Sequence, residues 1–202
     1  MTRRCFGAAL IAALTAVPGL AGVEVIDRIL AVVDGVPITQ SDLAAAVRLG
    51  LVGVQGGTDP TAAVLDRLIE RRLMLAEVDR YAPPEPPPAE VNAKLAATRA
   101  RGGSQFERVL AQTGLTIEQL RGQMRDDLRI EVYLQQRFGA MAPAEADLLQ
   151  YYREHAAQFP GTTFDEAHDR VSAALVTERR AGTIGDWVVG LRRRANIHVL
   201  PR

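Results

Sequence analysis

The sequence predicts a mainly α-helical protein with a small β-sheet built from its two ends. Three observations lead to this fold class: a hairpin signal at Asp34-Gly35, a run of capped amphipathic segments through the middle, and a short alternating segment at 196–200. An isolated strand is unstable, so the terminal segment needs the hairpin as its partner. The alternative is a terminal segment without regular structure.

The N-terminal ribbon, residues 25–43, encodes a strand, a turn and the start of a helix. β-branched residues flank Asp34-Gly35, which is a strong signal for a two-residue hairpin turn. Thr39 then fits a helix N-cap, because its hydroxyl can accept from the amide near Asp42, and the charge of Asp42 suits the first turn of a helix. Asp34, Thr39 and Asp42 fit turn and cap positions, so we expect the ribbon to have an architectural role and not a catalytic one.

The middle of the chain predicts seven helices. Capping residues such as Asp59, Thr116 and Thr163 start several of them, and glycine or proline ends most. The Pro83–Pro88 segment forbids helix and acts as a stiff, extended connection. The predicted bounds are 41–52, 60–81, 89–101, 104–112, 117–138, 142–159 and 163–195.

The N-terminus has the pattern of a secretory signal peptide. Arg3 and Arg4 precede an apolar run from Phe6 to Val17, which is shorter than the roughly 20 residues needed to span a bilayer and is followed by small residues. We expect residues 1–22 to be removed and 23–202 to form the mature protein. A buried N-terminal helix is the alternative. Paired arginines also occur in twin-arginine signals, but the general secretory route is the expected one.

The mature chain would hold 22 basic and 24 acidic residues and no cysteine, because Cys5 leaves with the signal. Disulfides, thiolate catalysis and cysteine metal sites are therefore not expected. The slight negative charge gives no reason to expect a nucleic-acid partner. No later segment is apolar for long enough to cross a membrane, so no integral membrane span is expected.

Several motifs occur in an order that resembles the SurA family of exported chaperones and parvulin-type prolyl isomerases. They are the ribbon V-I-D-R-I-L-A-V-V-D-G-V-P-I-T-Q-S-D-L, the L-I-E-R-R-L-M-L-A-E helix, Y-Y-R through Phe159, F-D-E-A-H-D-R-V-S-A-A-L, and the terminal I-H-V-L. The resemblance covers nearly the whole mature chain. It implies a helical SurA-like chaperone core in which segments 23–159 and 163–202 fold together.

One departure from this family bears on activity. The resemblance places the parvulin domain between Phe159 and Phe164, where this chain has only the four residues Pro160 to Thr163. Such a domain needs about 90 residues, within the usual size range of domains. We therefore expect a periplasmic, ATP-independent holdase for unfolded envelope or outer-membrane proteins that lacks the isomerase domain. A prolyl isomerase and a dedicated envelope-assembly adaptor are the alternatives for function. Exchange of the closing strand between two molecules would give a homodimer.

A search for active-site chemistry agrees with this expectation. His155, His168 and His198 are the only histidines, and none lies in a zinc-protease motif or near a nucleophile elbow. A metal site from His155 and His168 with neighbouring carboxylates is the alternative to solvated surface residues. Asp126 and Asp127 point about 100° apart on a helix, which disfavours a shared proton. No catalytic, cofactor or metal-binding residue is expected.

A holdase binds unfolded chains through exposed apolar surface. Methionine adapts to varied partners and aromatic rings supply large contact areas, so both are good candidates for such a surface. Most apolar residues at helical spacing pack in a core, and that is the alternative for each candidate. The six candidate client-binding residues are Met74, Phe106, Met124, Tyr133, Phe138 and Met141.

Overall fold

The computed structural model describes residues 27–53, 59–139 and 142–201. The expected signal peptide, residues 1–22, and the candidate Met141 lie outside these ranges. In chain order the elements are β1 (Ile29–Val33), β2 (Val36–Thr39), α1 (Gln40–Arg48), α2 (Pro60–Tyr81), α3 (Pro88–Gly102), α4 (Phe106–Thr113), α5 (Ile117–Arg137), α6 (Glu145–Glu154), α7 (Phe164–Arg194) and β3 (Ile197–Val199). Short 3-10 turns precede α4 and follow α6.

The two ends of the described chain meet in one antiparallel sheet of order β2-β1-β3, as predicted. Asp34 and Gly35 both have positive φ, 48° and 83°, which is typical of the two-residue turn predicted between β1 and β2. On the other side of β1, Val33 pairs with Ile197 and Ala31 pairs with Val199. The central strand is therefore covered on both edges, and the last strand is held by the first.

Threonine caps begin three of the helices at the predicted positions. Thr39, Thr116 and Thr163 each accept from the amide three residues later, and the side chain of that later residue accepts from the threonine amide. These reciprocal bonds satisfy amides that a helix start would otherwise leave without partners. Local sequence chemistry thus sets the starts of α1, α5 and α7.

The prediction for α1 is wrong at its C-terminal end, because the helix stops at Arg48 instead of near Val52. Gly50 adopts φ of +60°, and the amides of Gly50 and Leu51 donate to the carbonyls of Val47 and Ala46. This is the bonding pattern of a Schellman C-cap, which glycine favours. Val47 lies on the outer face and is 54% exposed.

The core consists of several clusters, and α7 contributes buried residues to two of them. The first, here called the terminal clasp, joins the sheet, α2 and the C-terminal end of α7; its buried residues are Ala31, Val33, Ile38, Leu65, Ile69, Leu73 and Leu191. A second cluster joins α1, α3, α4 and α5. A third, here called the α6 lobe, joins α6 to the first half of α7; its buried residues are Leu148, Tyr151, Phe159, Ala167, Val171 and Leu175. α7 thus runs from the α6 lobe to the terminal clasp.

Candidate functional site

The histidines take part in local surface contacts. The His155 ring stacks on Tyr151 at a centroid distance of 4.0 Å, and its Nδ1 lies 3.0 Å from the Tyr151 carbonyl oxygen. His168 lies between Glu145 and Asp169, and hydrogen bonds to these carboxylates raise the pKa of its ring above the usual 6.5. In the part of the chain that the structure describes, no three His, Cys, Asp or Glu side chains are grouped to hold a metal ion.

Asp126 and Asp127 form part of an ion network between α2 and α5. Arg71 of α2 donates from Nε to Oδ1 of Asp127 at 2.6 Å, and its Nη2 lies 3.9 Å from Oδ2 of Asp126. Burial raises the pKa of the Asp126 carboxyl, and the charges of Arg71 and Arg129 oppose that rise. The two carboxylates share an arginine instead of a proton, so this pair has a structural role.

Three of the six candidate client-binding residues lie in the core. Phe106 and Met124 are 1% and 2% exposed within the α1-α3-α4-α5 cluster, and Tyr133 is 5% exposed between α2 and α7. The prediction that they line an exposed surface is wrong for this conformation. Helical spacing identifies an apolar face but does not tell whether another helix covers it. Met74 and Phe138 are half-buried and stay candidates, and Met141 lies outside the described residues.

An aromatic cluster forms where α2, α5 and α7 meet. Tyr133 lies 5.7 Å from Tyr81 and 5.8 Å from Trp187, and Phe138 lies 5.4 Å from Trp187, all between ring centroids. The guanidinium of Arg137 lies over all four rings, at 5.6 to 6.0 Å from their centroids. Such contacts are favourable because the ring faces carry partial negative charge. Burial raises the pKa of the Tyr133 hydroxyl, and the adjacent Arg137 charge opposes that rise.

The middle of α7 lacks a covering partner. None of its side chains from Val176 to Trp187 is buried, although the helix is well packed on both sides of this stretch. Two adjoining hollows of about 510 and 450 Å³ lie between this stretch, the end of α5 and the start of α6. We call them together the α5–α7 cleft. The side chains that line it include Gln135, Arg137, Phe138, Pro143, Val176, Arg179, Arg180 and Ile184.

The cleft combines apolar surface with arginine charge. Phe138, Val176 and Ile184 are each half-buried, so each offers part of an apolar side chain to a ligand. Phe138 is among the client-binding residues predicted from the sequence, whereas Val176, Ile184 and the arginines are not. Periodicity assigns Ile184 to the same apolar stripe as Val188 and Leu191, and only its position between two packed ends of α7 leaves it uncovered.

No described helix is both long and apolar enough to cross a membrane. No family model matches the sequence, and no curated protein matches it. Among solved structures, a chain from work on the virulence factor PEB4 and the periplasmic protein Cj1289 of Campylobacter jejuni, described there as two structurally related SurA-like chaperones, matches with a TM-score of 0.54. The two sequences are 14% identical, and the match covers 87% of this chain and all of the other.

At this identity the match concerns the fold. The chain therefore has a mainly α, SurA-like fold with a small three-stranded antiparallel sheet.

Proposed function

We propose that this protein is an ATP-independent periplasmic chaperone, a holdase that binds unfolded envelope or outer-membrane proteins. The observation that carries the proposal is the α5–α7 cleft, a half-apolar surface that the fold leaves uncovered. The SurA-like fold supports a chaperone role for it.

The cleft suits transient binding of an extended chain. Burying apolar surface contributes about 25 cal/mol for each Å² removed from water, so partial burial of a few side chains gives weak, reversible binding at each contact. Arginines around the apolar lining keep the empty cleft hydrated, which disfavours self-association. Binding of this kind requires no nucleotide, and the sequence contains no phosphate-binding glycine loop.

Export to the periplasm is part of the proposal. Residues 1–22 have the charged start, apolar run and small residues of a signal peptide. Cj1289, one of the two Campylobacter jejuni proteins named above, is described as periplasmic. Fractionation of cells that produce the full chain, with sequencing of the mature N-terminus, would test this step. A cytoplasmic protein with an intact N-terminus would contradict it.

The decisive test is suppression of aggregation. An unfolded β-barrel outer-membrane protein is diluted from denaturant without ATP, with and without the mature chain, and light scattering is followed. We expect scattering to fall as the protein approaches an equimolar ratio. Unchanged scattering at excess protein would refute the holdase proposal.

A matched pair of variants ties the activity to the cleft. Val176→Asp places a charge in the cleft, whereas Val47→Asp makes the same change on the exposed face of α1. We expect Val176→Asp to weaken client binding about tenfold, equivalent to about 1.4 kcal/mol, and Val47→Asp to leave it unchanged. Equal effects would place client binding outside the cleft.

We further propose that the protein does not act as a prolyl isomerase, because only Pro160 to Thr163 lie between Phe159 of the α6 lobe and Phe164 at the start of α7. Four residues cannot form an isomerase domain. A proline isomerisation assay on a tetrapeptide tests this directly. Clear turnover would favour the isomerase alternative. Crosslinking in the periplasm separates the adaptor alternative, since an adaptor would yield one partner and a holdase many.

A further inference from the structure

We propose that the α5–α7 cleft selects polypeptide segments in which a carboxylate lies beside apolar side chains, and that Arg137 and Arg180 bind this carboxylate. The inference rests on the proposed holdase function and specifies what its cleft prefers. Two observations carry it: neither arginine pairs with a carboxylate in the described residues, and the carboxylates around them have other partners.

Arg180 has an unsatisfied donor at the cleft wall. Its Nε is buried and has no hydrogen-bond partner among the described residues, and no described carboxylate lies within 4.0 Å of its guanidinium. The preceding arginine on the same helix differs, because Arg179 forms an ion pair with Asp147 at 2.9 Å. A guanidinium without an anionic partner beside an apolar surface is available for a carboxylate that a ligand brings.

Arg137 is held in place without using a carboxylate. Its guanidinium lies over the rings of Tyr81, Tyr133, Phe138 and Trp187, and it forms no ion pair in the described ranges. Contact through the face of a guanidinium leaves N–H groups at its edge for acceptors; the Tyr133 hydroxyl interacts with one of them, and the others can bind a planar carboxylate. An arginine already ordered by aromatic rings loses less conformational freedom when it binds a carboxylate.

The carboxylates nearest to the cleft already have other partners. Asp147 pairs with Arg179, Glu145 with His168, and Glu178 lies against the Tyr151 hydroxyl, whose pKa is raised by burial and by that carboxylate. The protein therefore does not neutralise Arg137 and Arg180 from within. This leaves the cleft with a positive potential next to the half-exposed Phe138, Val176 and Ile184.

Two parts of an unfolded client carry this chemistry: the carboxylate at its chain end and the side chains of Asp and Glu. Both are planar and can accept two parallel N–H bonds from a guanidinium. The apolar lining requires that neighbouring residues be apolar and extended. Fully polar acidic segments should therefore bind weakly.

The single tryptophan provides a built-in signal for the experiment. Trp187 is the only tryptophan of the chain, and its ring lies 6.0 Å from the Arg137 guanidinium carbon and 5.4 Å from Phe138. Four short peptides rich in Leu and Phe, without Trp or Tyr, are titrated against the mature chain. One has a free C-terminal carboxylate, one is its amide, and two further amides carry either an internal Glu or an internal Gln.

We expect a peptide with a carboxylate to bind about tenfold more tightly than its neutral partner, equivalent to about 1.4 kcal/mol. If only the free acid and its amide differ in affinity, the cleft binds the carboxylate at a chain end. If only the Glu and Gln peptides differ, the cleft binds acidic side chains. Equal binding of all four peptides would overturn the carboxylate inference but leave the holdase proposal intact, whereas absence of binding by all four would count against both.

Four variants locate the preference. Arg180→Gln and Arg137→Gln should each bring the ratio between acidic and neutral peptides close to one. Arg193→Gln, which makes the same change at an exposed position near the end of α7, should leave the ratio unchanged. Arg180→Lys keeps the charge but loses the planar fork and should give an intermediate ratio. A preference that survives in both Arg137→Gln and Arg180→Gln would overturn the assignment to these residues.

Discussion

The terminal clasp and the α6 lobe use the same helix, α7, in different ways. In the clasp, the end of α7 and β3 return to residues near the start of the described chain. The amide of Asp34 donates to the Asn196 carbonyl at 2.9 Å, and Arg192 donates to Asp66 at 2.8 Å. In the α6 lobe, every buried residue lies between Leu148 and Leu175. One region is built from distant segments and the other from neighbours in sequence.

This difference has consequences for stability and for the cleft between the two regions. The clasp joins residues that lie 162 positions apart, so its contacts offset the closure entropy of the whole intervening chain and contribute to global stability. Because the lobe is closed by local contacts, we expect it to open without loss of the clasp. Because the α5–α7 cleft lies between them, opening of the lobe would widen the cleft.

The largest expected effects come from two matched core truncations. Leu73 in the clasp and Leu148 in the lobe are each 3% exposed, so Leu→Ala removes the same buried group from each region. Leu73→Ala should lower the free energy of global unfolding by about 2–5 kcal/mol. Leu148→Ala should act mainly on the lobe and shift the global transition less.

Denaturant unfolding followed by Trp187 fluorescence measures the first effect, because Trp187 packs against the clasp. Amide hydrogen exchange in α6 measures the second. Should both variants shift the Trp187 transition equally, the two regions would form one cooperative unit and the comparison would fail.

A smaller effect is expected at the turn that closes the clasp. Asp34→Ala removes the acceptor for the Asn196 amide, now at 2.8 Å, and places alanine at a positive φ of 48°. We expect a loss of about 1–2 kcal/mol in the free energy of unfolding.

Asp34→Asn is the control for this turn, because asparagine keeps an acceptor oxygen and tolerates positive φ. It should stay within about 0.5 kcal/mol of the natural protein, as ordinary surface substitutions do. Thermal and denaturant unfolding of both variants would measure the difference. Equal losses in the free energy of unfolding would mean that the charge of Asp34 stabilises the clasp, and not its hydrogen bond to Asn196 or its backbone conformation.

The smallest effect is a pH dependence of the α6 lobe. Hydrogen bonds that the His168 ring donates to Glu145 and Asp169 raise the pKa of His168 above its unfolded value near 6.5. The stabilisation is therefore fully present below about pH 6.5 and is lost as the pH rises through the folded pKa. His168 is exposed, so we expect only a small increase in α6 hydrogen exchange across that window, and none in His168→Gln.

An NMR titration of the His168 ring gives the folded pKa directly. A value at or below that of an unfolded reference peptide would contradict the prediction.

The sequence predicted the elements of both regions about equally well. The Thr163 capping box, the Asp34-Gly35 turn and the proline that starts α2 all depend on groups within a few residues of each other. The early end of α1 was missed, since Gly50 was included in the helix although it takes the left-handed conformation of a C-cap.

The candidate surface was predicted much less well than the fold. Of the six proposed residues, Phe106, Met124 and Tyr133 are buried by helices that the apolar pattern alone could not place. Ile184 has helical spacing with the core residues Val188 and Leu191 and is nevertheless only half-buried. Amphipathic spacing identifies the side of a helix that avoids water, but the partner of that side is determined by long-range packing.

Local sequence chemistry set most of the helix starts and the hairpin turn, because caps, turns and prolines act over a few bonds. It also indicated that the two ends would pair, since β3 had no other strand available. Tertiary packing decides which apolar residues stay accessible and brings Arg137 over rings from α2, α5 and α7. Those features depend on side chains that are far apart in sequence and become neighbours only when the helices pack.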